Sequence, residues 1–297
     1  MENQSPHHEP DPLIPASPEV PLTLEGAAVL HQMMRVRWSA WKALEPRTRA
    51  AILGEAAAVI EAMESTEGGG SAAFSLFGHK GDLMFVHFRR SFGDLAAVER
   101  QLTGLRLYDF LEAATSYVSV VELGLYESSG KLYASLGERG VPPGSDEWAA
   151  AVAEALERQR TAMAPRLYPE VPSHRYICFY PMDRKRGESK NWYSLPLPDR
   201  QRMMREHGQV GRKYAGVVKQ IISGSIGLDD WEWGVDLFAD DPVVFKKLIY
   251  EMRFDEVSAA YAAFGPFYVG LRVPAAELAS CLSVGPGPVA GATGVSA

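Results

Sequence analysis

The chain has few cysteines and no long apolar run, and each absence excludes a class of protein. Its 297 residues include two cysteines, Cys178 and Cys281, which argues against a disulfide framework and favours reduced thiols in a cytoplasmic protein. No Cys-x-x-Cys-His sequence occurs, so a covalently attached c-type haem is excluded. No apolar run approaches the roughly 18 residues of a membrane-spanning helix, and no secretory signal is visible.

An excess of positive charge is also absent. The 30 Lys and Arg residues stand against 37 Asp and Glu residues and give a net charge of -7. This balance argues against nucleic acid as a partner. Hydrophobic content of 46% and charged content of 23% are typical of a globular protein, long enough for one large domain or two small ones.

What the chain does contain is a repeated order of predicted elements. In the first half, strands are predicted at 28–38, 72–77, 83–88 and 117–123, and helices at 46–63 and 93–105. In the second half, strands are predicted at 175–180, 217–223, 233–238 and 267–273, and helices at 198–214 and 242–261. Each half has the order β-α-β-β-α-β of a ferredoxin-like unit. We therefore predict an α+β fold in which duplicated ferredoxin-like units form a dimeric α+β barrel with its helices outside.

Composition gives the predicted boundaries. Residues 1–22 lack periodicity and are predicted to be a disordered tail, and residues 276–297 are predicted to be a flexible tail. Between an N-terminal unit, 23–126, and a C-terminal unit, 171–275, lies a connection, 127–170, with a Gly-Pro-rich turn before an amphipathic helix at about 145–162. A long connection in a compact protein is often functional, and a plain linker is the alternative.

The candidate chemistry lies in the second half, where His207 stands on the apolar face of the helix at 198–214. A lone histidine on such a face is more often a core residue than a ligand. Gly208 and Gly211, however, would let a flat group approach the helix closely. No further ligand stands at the spacing of a metal cage, which favours haem, a group that needs only one protein ligand.

A tyrosine and a glutamine share this half of the chain. Tyr180 ends the strand at 175–180, and Pro181 is predicted to stop that strand. The phenol is either a half-buried amphipathic group or a redox-active one. Gln220 alternates with its two neighbours along a strand, so it is either a neutral hydrogen-bonding group above an iron or an ordinary polar residue at a sheet edge.

Cationic residues surround these positions in the sequence. The loop after Tyr180 is basic, which is usually the mark of a solvated turn. Yet three more arginines fall in the same half of the chain, and arginine binds carboxylates in bidentate fashion. A porphyrin with four carboxylates, such as a coproporphyrin, would need such a set. The residues are Arg184, Lys185, Arg186 and Lys190 of the loop, with Arg166, Arg212 and Arg253.

Together these segments resemble a known family. The run from Tyr180-Pro-Met-Asp-Arg-Lys-Arg through Phe267 is similar to that of the coproheme decarboxylases of Gram-positive-type haem synthesis, within the chlorite dismutase-like superfamily. The resemblance covers about residues 25–275. It is looser in the first half, where Trp38-Ser-Ala-Trp41 and the segment 117–126 carry it.

The resemblance implies an activity and its cofactors. Two propionates of iron coproporphyrin III would be decarboxylated oxidatively to vinyl groups, which gives haem b, with hydrogen peroxide as oxidant and a tyrosyl radical. Iron coproporphyrin III and haem b would be substrate and product and serve as their own cofactor. The resemblance also implies a homopentamer and transient contact with ferrochelatase.

The resemblance assigns roles to individual residues. His207 would be the axial iron ligand and Tyr180 the catalytic radical residue. Gln220 would lie on the distal side, where true chlorite dismutases carry an arginine, which argues against chlorite chemistry. Substrate binding would fall to Arg166, Tyr180, Pro181, Met182, Asp183, Arg184, Gln220 and Ser258, with Tyr126, Arg186, Arg212 and Arg253 as further candidates.

Two departures from the family pattern bear on substrate binding. Arg184 stands where the family usually has lysine, which keeps the charge but changes the hydrogen-bond geometry. Ala164 replaces an arginine often found two residues before the position of Arg166, so propionate binding would be weaker there or shared with Arg186. Two alternative functions stay open. A chlorite dismutase-like haem peroxidase would turn chlorite over to oxygen, and a haem carrier or sensor would bind haem b without peroxide-dependent loss of mass from coproheme.

Overall fold

The computed structural model describes residues 14–66 and 69–283. Its first half follows the predicted order. The strands are β1 (Thr23–Val36), β2 (Gly70–Leu76), β3 (Leu83–Arg89) and β4 (Leu111–Gly124), and the helices are α1 (Trp38–Ala43), α2 (Pro46–Glu64) and α3 (Phe92–Thr103), with a 3-10 helix at Arg106–Phe110. Two helices, α4 (Tyr126–Glu138) and α5 (Asp146–Leu167), form the connection to the second half.

The second half repeats the order with small additions. Its strands are β5 (Tyr176–Arg184), β6 (Lys219–Gly224), β7 (Trp233–Ala239), β8 (Ala262–Phe264) and β9 (Tyr268–Val273). Its helices are α6 (Leu197–Lys213), α7 (Val243–Met252), α8 (Glu256–Tyr261) and α9 (Leu278–Cys281), with a 3-10 helix at Ala275–Glu277. The α+β class and the duplicated unit are therefore confirmed; the predicted boundaries between tails, units and connection stay a prediction.

The strands pair antiparallel around a ring. Within the halves the orders are β4-β1-β3-β2 and β9-β5-β7-β6, and the pairs β2–β9 and β4–β6 join the halves. The pairing of β5 with β7 closes the circuit, and short β8 adds to the outside of β5. Because every long strand in the described ranges has two neighbours, the barrel leaves no long edge among them unpaired.

The barrel interior is mostly apolar, and one of the buried polar contacts inside it is an ionisable pair that joins the two halves. Phe74, Phe88 and Phe238 are among the fully buried side chains inside it. His31 on β1 lies 2.9 Å from Asp236 on β7, Nε2 to Oδ1, and both side chains are 0% exposed. The His31 ring also stacks at 3.9 Å on Phe179, which pairs with Asp236 across β5 and β7. The contacts of His31 thus link the first and second units at one level of the barrel.

Helices cover the outer faces of the sheet in two layers. We call the space between β1–β4 and helices α2 and α3 the first layer, and the space between β5–β7 and helices α6 and α7 the second layer. The first layer contains an apolar cavity of about 10 Å³ beside Gln32 and Phe85. That volume holds about one water molecule.

Several predicted element ends were wrong, and the structure gives the reason for two of them. Strand β5 continues through Pro181, which pairs with Gly234. Proline lacks only the N–H, and its carbonyl oxygen still accepts a hydrogen bond from the backbone of Gly265 at 2.9 Å. The strand predicted at 28–38 ends at Val36, because Trp38 begins a helix and donates its indole N–H to Asp82 at 3.0 Å.

The helix predicted at 242–261 is two helices, α7 and α8. Asp255 begins the second by accepting a hydrogen bond from the backbone N–H of Ser258 at 2.8 Å. An aspartate in this role satisfies a free helix N–H and so favours a new helix start over continuation. In the connection, α4 was not predicted at all, and the helix predicted at 145–162 runs on to Leu167.

The inner ends of both predicted tails pack against helices where the structure describes them. Residues 14–22 pack against α4, α5 and α6: Leu22 is buried, the carbonyl of Pro15 accepts from the Trp148 indole at 3.0 Å, and Glu19 accepts from the backbone of Leu197 at 2.8 Å. At the other end Leu282 is buried under α1 and α2. The rest of both tails, 1–13 and 284–297, lies outside the described residues. Among the described residues, no helix has the length and apolarity to cross a membrane.

The packing around Gly234 gives a stability test. A Cβ at this position would lie 2.7 Å from the Tyr117 ring and 2.8 Å from Ser223 Oγ. We expect Gly234→Ala to lower the free energy of unfolding by about 1–3 kcal/mol, because the barrel interior has no room for another methyl group. Urea denaturation followed by fluorescence measures it.

The matched control is Gly54→Ala on the exposed side of α2, where a Cβ would meet nothing within 4 Å. There the same change should raise stability by about 0.5–1 kcal/mol, because alanine favours helix more than glycine does. Equal shifts in the two variants would contradict the packing described for β7.

Candidate functional site

The second layer collects the candidate residues through strand alternation. Tyr180 on β5 pairs with Val235 on β7, which pairs with Ile222 on β6, so one row of outward side chains crosses three strands. The next row runs from Cys178 through Leu237 to Gln220. Helix α6, which carries His207, lies over this face.

Several side chains in the second layer are only half-buried although helices lie over them. This partial exposure indicates that the layer has a side open to solvent. A flat group can enter a layer only from such a side. The half-buried side chains are Met182, Arg184, Met204, His207, Ile222 and Trp233.

His207 is held by a carboxylate that the sequence did not predict. Its Nδ1 lies 2.8 Å from Oδ2 of Asp255, and the Ser258 hydroxyl oxygen lies 3.5 Å from the same nitrogen. The His207 side chain is 24% exposed and that of Asp255 7%. Burial alone would raise the pKa of Asp255, but the hydrogen bonds from His207 and from the Ser258 backbone lower it below its ordinary value.

This contact decides which nitrogen of His207 can bind a metal. Because an ionised carboxylate only accepts hydrogen bonds, the proton of a neutral His207 lies on Nδ1. The lone pair of Nε2 is then free, which is the arrangement of histidines that ligate metals. The described residues contain no group of three His, Cys, Asp or Glu side chains that could cage an ion. His207 therefore fits a metal that needs one protein ligand.

Tyr180 lies in an aromatic part of the same layer. Its ring stacks at 4.5 Å on Phe267 and lies 5.9 Å from Phe264, and the residue is 4% exposed. Burial raises the pKa of its phenol, the neighbouring Cys178 adds to the shift, and Arg253 and Arg184 oppose it. The phenol is thus protonated at physiological pH, and no described residue hydrogen-bonds its oxygen.

Arg184 presents a guanidinium group without a carboxylate partner among the described residues. The group lies 4.9 Å from the ring centre of Trp192 and 6.0 Å from that of Trp233, and it donates a hydrogen bond to Met204 Sδ at 3.5 Å. Burial lowers its pKa, although an arginine stays charged. A half-buried cation between two indoles is suited to bind an anionic group from a ligand.

Two more predicted arginines lie along the layer. Arg253 stacks at 3.6 Å over the ring of Phe264, beside Tyr180. The side chain of Arg212 folds back along α6, so that a Cβ on Gly208 would lie 3.5 Å from its Nη1. Arg212 is therefore next to Gly208, and the prediction that Gly208 leaves room for a flat group stays a prediction.

Gln220 and Tyr126 lie at the margins of the layer. Gln220 is exposed, and its Oε1 would be 3.9 Å from a Cβ on Gly211 of α6. Tyr126 begins α4 and meets Trp192 edge-on at 6.2 Å. Both side chains are therefore close to the candidate residues of β5 and α6, and their predicted roles stay predictions.

The structure does not bring every predicted residue into the layer. Pro181 and Asp183 alternate to the other face of β5, where Asp183 accepts a hydrogen bond from the backbone of Glu232 at 2.8 Å. Arg186 pairs with Glu232 at 3.4 Å. Arg166 is exposed at the end of α5 and contacts Met163 at 3.8 Å.

Two site residues were missed, and one had a signal in the sequence. Asp255-Glu-Val-Ser258 is a helix-start pattern, and it would have placed a carboxylate at the level of His207. Trp192 had no signal, because a lone indole in a loop carries no periodicity. Its 1% exposure and its contact with Arg184 come from tertiary packing alone.

Comparisons with known proteins show which family the chain belongs to. The family model described as chlorite dismutase matches residues 49–273. The chain is 43% identical to the coproheme decarboxylase of Staphylococcus saprophyticus over 256 residues, which are 85% of this chain and 94% of that protein. A protein of Haloquadratum walsbyi is 43% identical over 267 residues, 89% of this chain and 47% of its own length. The chain thus spans about half the length of such archaeal relatives.

Solved structures show the same fold. A heme-binding protein from Thermus thermophilus is 38% identical, with a TM-score of 0.76 over 91% of this chain and 99% of that one. A mutant of the chlorite dismutase from Candidatus Nitrospira defluvii is 19% identical, with a TM-score of 0.64 over 87% of this chain and 96% of that one, and shares the fold. The family model and these relatives together show that this chain belongs to the chlorite dismutase family.

Proposed function

We propose that this protein is a coproheme decarboxylase, which converts two propionates of iron coproporphyrin III to vinyl groups and so makes haem b with hydrogen peroxide. The observation that carries the proposal is the second layer itself. Within the described residues it combines a histidine with a free Nε2, a buried phenol without a hydrogen bond, and an arginine without a carboxylate partner. The name of the Staphylococcus saprophyticus relative supports the choice of substrate.

The residues of α6 and α8 would hold the iron porphyrin. His207 would supply Nε2 as the axial ligand, while Asp255 holds the ring orientation by accepting from Nδ1. A hydrogen bond to a carboxylate raises the basicity of a ligating histidine. When bound, the iron with peroxide supplies the oxidising power for the reaction.

Tyr180 would carry that oxidising power to the substrate. Its phenol is protonated and enclosed by aromatic rings, so loss of an electron and a proton gives a neutral radical in apolar surroundings. The radical would take a hydrogen atom from the β-carbon of a propionate. Loss of carbon dioxide and one electron from the substrate then leaves a vinyl group, and a second round completes haem b.

The cationic residues would hold the carboxylates during these steps. Arg184 and Arg253 both lie beside the ring cluster of Tyr180, so each can position a propionate near the phenol. Gln220 is neutral and does not supply the cation that would control a chlorite oxyanion, which favours decarboxylation over chlorite chemistry. A homopentamer, a cytoplasmic location and contact with ferrochelatase stay predictions from the resemblance.

Removal of one oxygen atom tests the role of Tyr180. In Tyr180→Phe the stack on Phe267 is preserved, so iron coproporphyrin III should bind within about threefold of the wild-type affinity. Formation of haem b should be lost, because phenylalanine has no O–H bond to oxidise. Absorption titration measures binding, and mass spectrometry after peroxide addition measures the product.

The control is Tyr268→Phe, a buried tyrosine on the interior side of the barrel at 6.1 Å from Phe179. It should make haem b at the wild-type rate. Haem b formation at the wild-type rate by Tyr180→Phe would rule out the mechanism.

Asp255→Asn tests how His207 is held. Asparagine also caps helices, so α8 should still form, but a neutral amide accepts more weakly from the histidine Nδ1. Loss of such a supporting group typically costs 10- to 100-fold in metal affinity, and we expect a loss in about that range for iron coproporphyrin III. The Soret band and the binding titration report ligation, and unchanged affinity and spectrum would contradict the role.

Arg184→Ala tests carboxylate binding. A hydrogen bond to a charged group contributes about 1.5–3 kcal/mol, so affinity for iron coproporphyrin III should fall roughly 10- to 100-fold. Arg186→Ala is the comparison, because Arg186 is 63% exposed and already paired with Glu232. It should change the affinity less than about threefold. Similar losses in both variants would mean that the loop acts only through its overall charge.

A further inference from the structure

Glu122 of the first unit reaches into the second layer. It lies on β4 next to β6, and its carboxylate occupies the place where Gly224 has no side chain. A Cβ on Gly224 would be 2.0 Å from Glu122 Oε2. Gly224 pairs with Trp233 across β6 and β7, and Trp233 pairs with Met182 across β7 and β5. These residues form a row of outward positions next to the row that contains Tyr180. The Glu122 carboxylate lies at the Gly224 end of this row.

One carboxylate oxygen of Glu122 has no hydrogen-bond partner among the described residues. The indole N–H of Trp233 donates to Oε1 at 3.2 Å, and no other described residue hydrogen-bonds the side chain. Arg184 lies near the same indole, with its guanidinium 6.0 Å from the centre of the Trp233 ring. A carboxyl group and a guanidinium, neither in an ion pair with any described residue, thus flank one indole at the edge of the layer.

No cation in the described part of the chain neutralises Glu122. The charged and titratable groups that face it from neighbouring elements are Glu25 of β1, directly across the strand pair, and Tyr126 of α4. Arg160 of α5 donates to the backbone carbonyl of Glu25 and forms no ion pair with Glu122. Arg184 of β5 lies beyond Trp233.

We propose, on the basis of the function proposed above, that Glu122 binds one carboxylate of the porphyrin through a shared proton, so that binding at this edge takes up a proton. Two carboxyl groups in contact cannot both stay ionised at low cost, because like charges repel strongly away from water. One protonated group donating to one ionised group removes that repulsion. Glu122 then recognises an anionic substituent without a second arginine.

The environment of the free chain already favours this protonation. Burial raises the pKa of Glu122 above its ordinary value, and the Glu25 charge adds to the shift, while the hydrogen bond from Trp233 opposes it. An arriving carboxylate would raise the pKa further. Affinity should therefore weaken as pH rises, by up to about tenfold per pH unit for one linked proton.

Glu122→Gln separates this role from a structural one. Glutamine keeps the acceptor for Trp233 and resembles the protonated acid in shape, so the fold and the binding of iron coproporphyrin III should persist. Titration calorimetry of the full chain, in two buffers of different ionisation enthalpy near neutral pH, counts the protons taken up. On binding, the wild type should take up a fraction of a proton that approaches one, and the variant should not take up this proton. The affinity of the wild type should also fall more steeply than that of the variant as the pH rises.

The control is Glu25→Gln, which removes the exposed cross-strand carboxylate and should retain most of the uptake. Equal proton uptake in the wild type and in Glu122→Gln would overturn the proposal while leaving the proposed function intact. Failure of the wild type to bind iron coproporphyrin III would overturn both.

Discussion

The register between β5 and β7 is the constraint on which the candidate site depends. With Tyr180 opposite Val235, the phenol faces α6 and Phe179 faces the barrel interior. A slip of one residue would exchange the two faces and bury the phenol inside the barrel. The buried contacts of His31 with Asp236 and with Phe179 stabilise this register from the opposite wall, and they come from the first unit.

The two units therefore contribute unequally to the candidate site. Both have a sheet covered by helices, and the first layer holds a largely apolar cluster beside a cavity of about 10 Å³. The second layer keeps half-buried polar groups, among them His207 and Arg184, that a ligand could contact. The first unit contributes to the second layer in two ways. His31 contacts Asp236 inside the barrel, and the Glu122 side chain lies against Gly224, so residues of both units form the candidate site.

Sequence periodicity predicted the duplicated unit well, because strand alternation and helix spacing are local properties. It also singled out His207, Tyr180 and Arg184, which the structure places in one layer, and their roles stay predictions. It failed where tertiary packing decides. Pro181 continues a strand because only its carbonyl is needed there, and Asp255 interrupts a periodic helix. The pairing of Arg186 with Glu232 across separate loops had no local signal.

Mass spectrometry of the protein with iron coproporphyrin III, during a peroxide titration, tests the central claim most directly. The account predicts two successive decarboxylations through a mono-decarboxylated intermediate, ending at the mass of haem b. A porphyrin that binds through His207 but keeps all four carboxyl groups as peroxide is added would contradict it, and the protein would then be a haem carrier or a peroxidase.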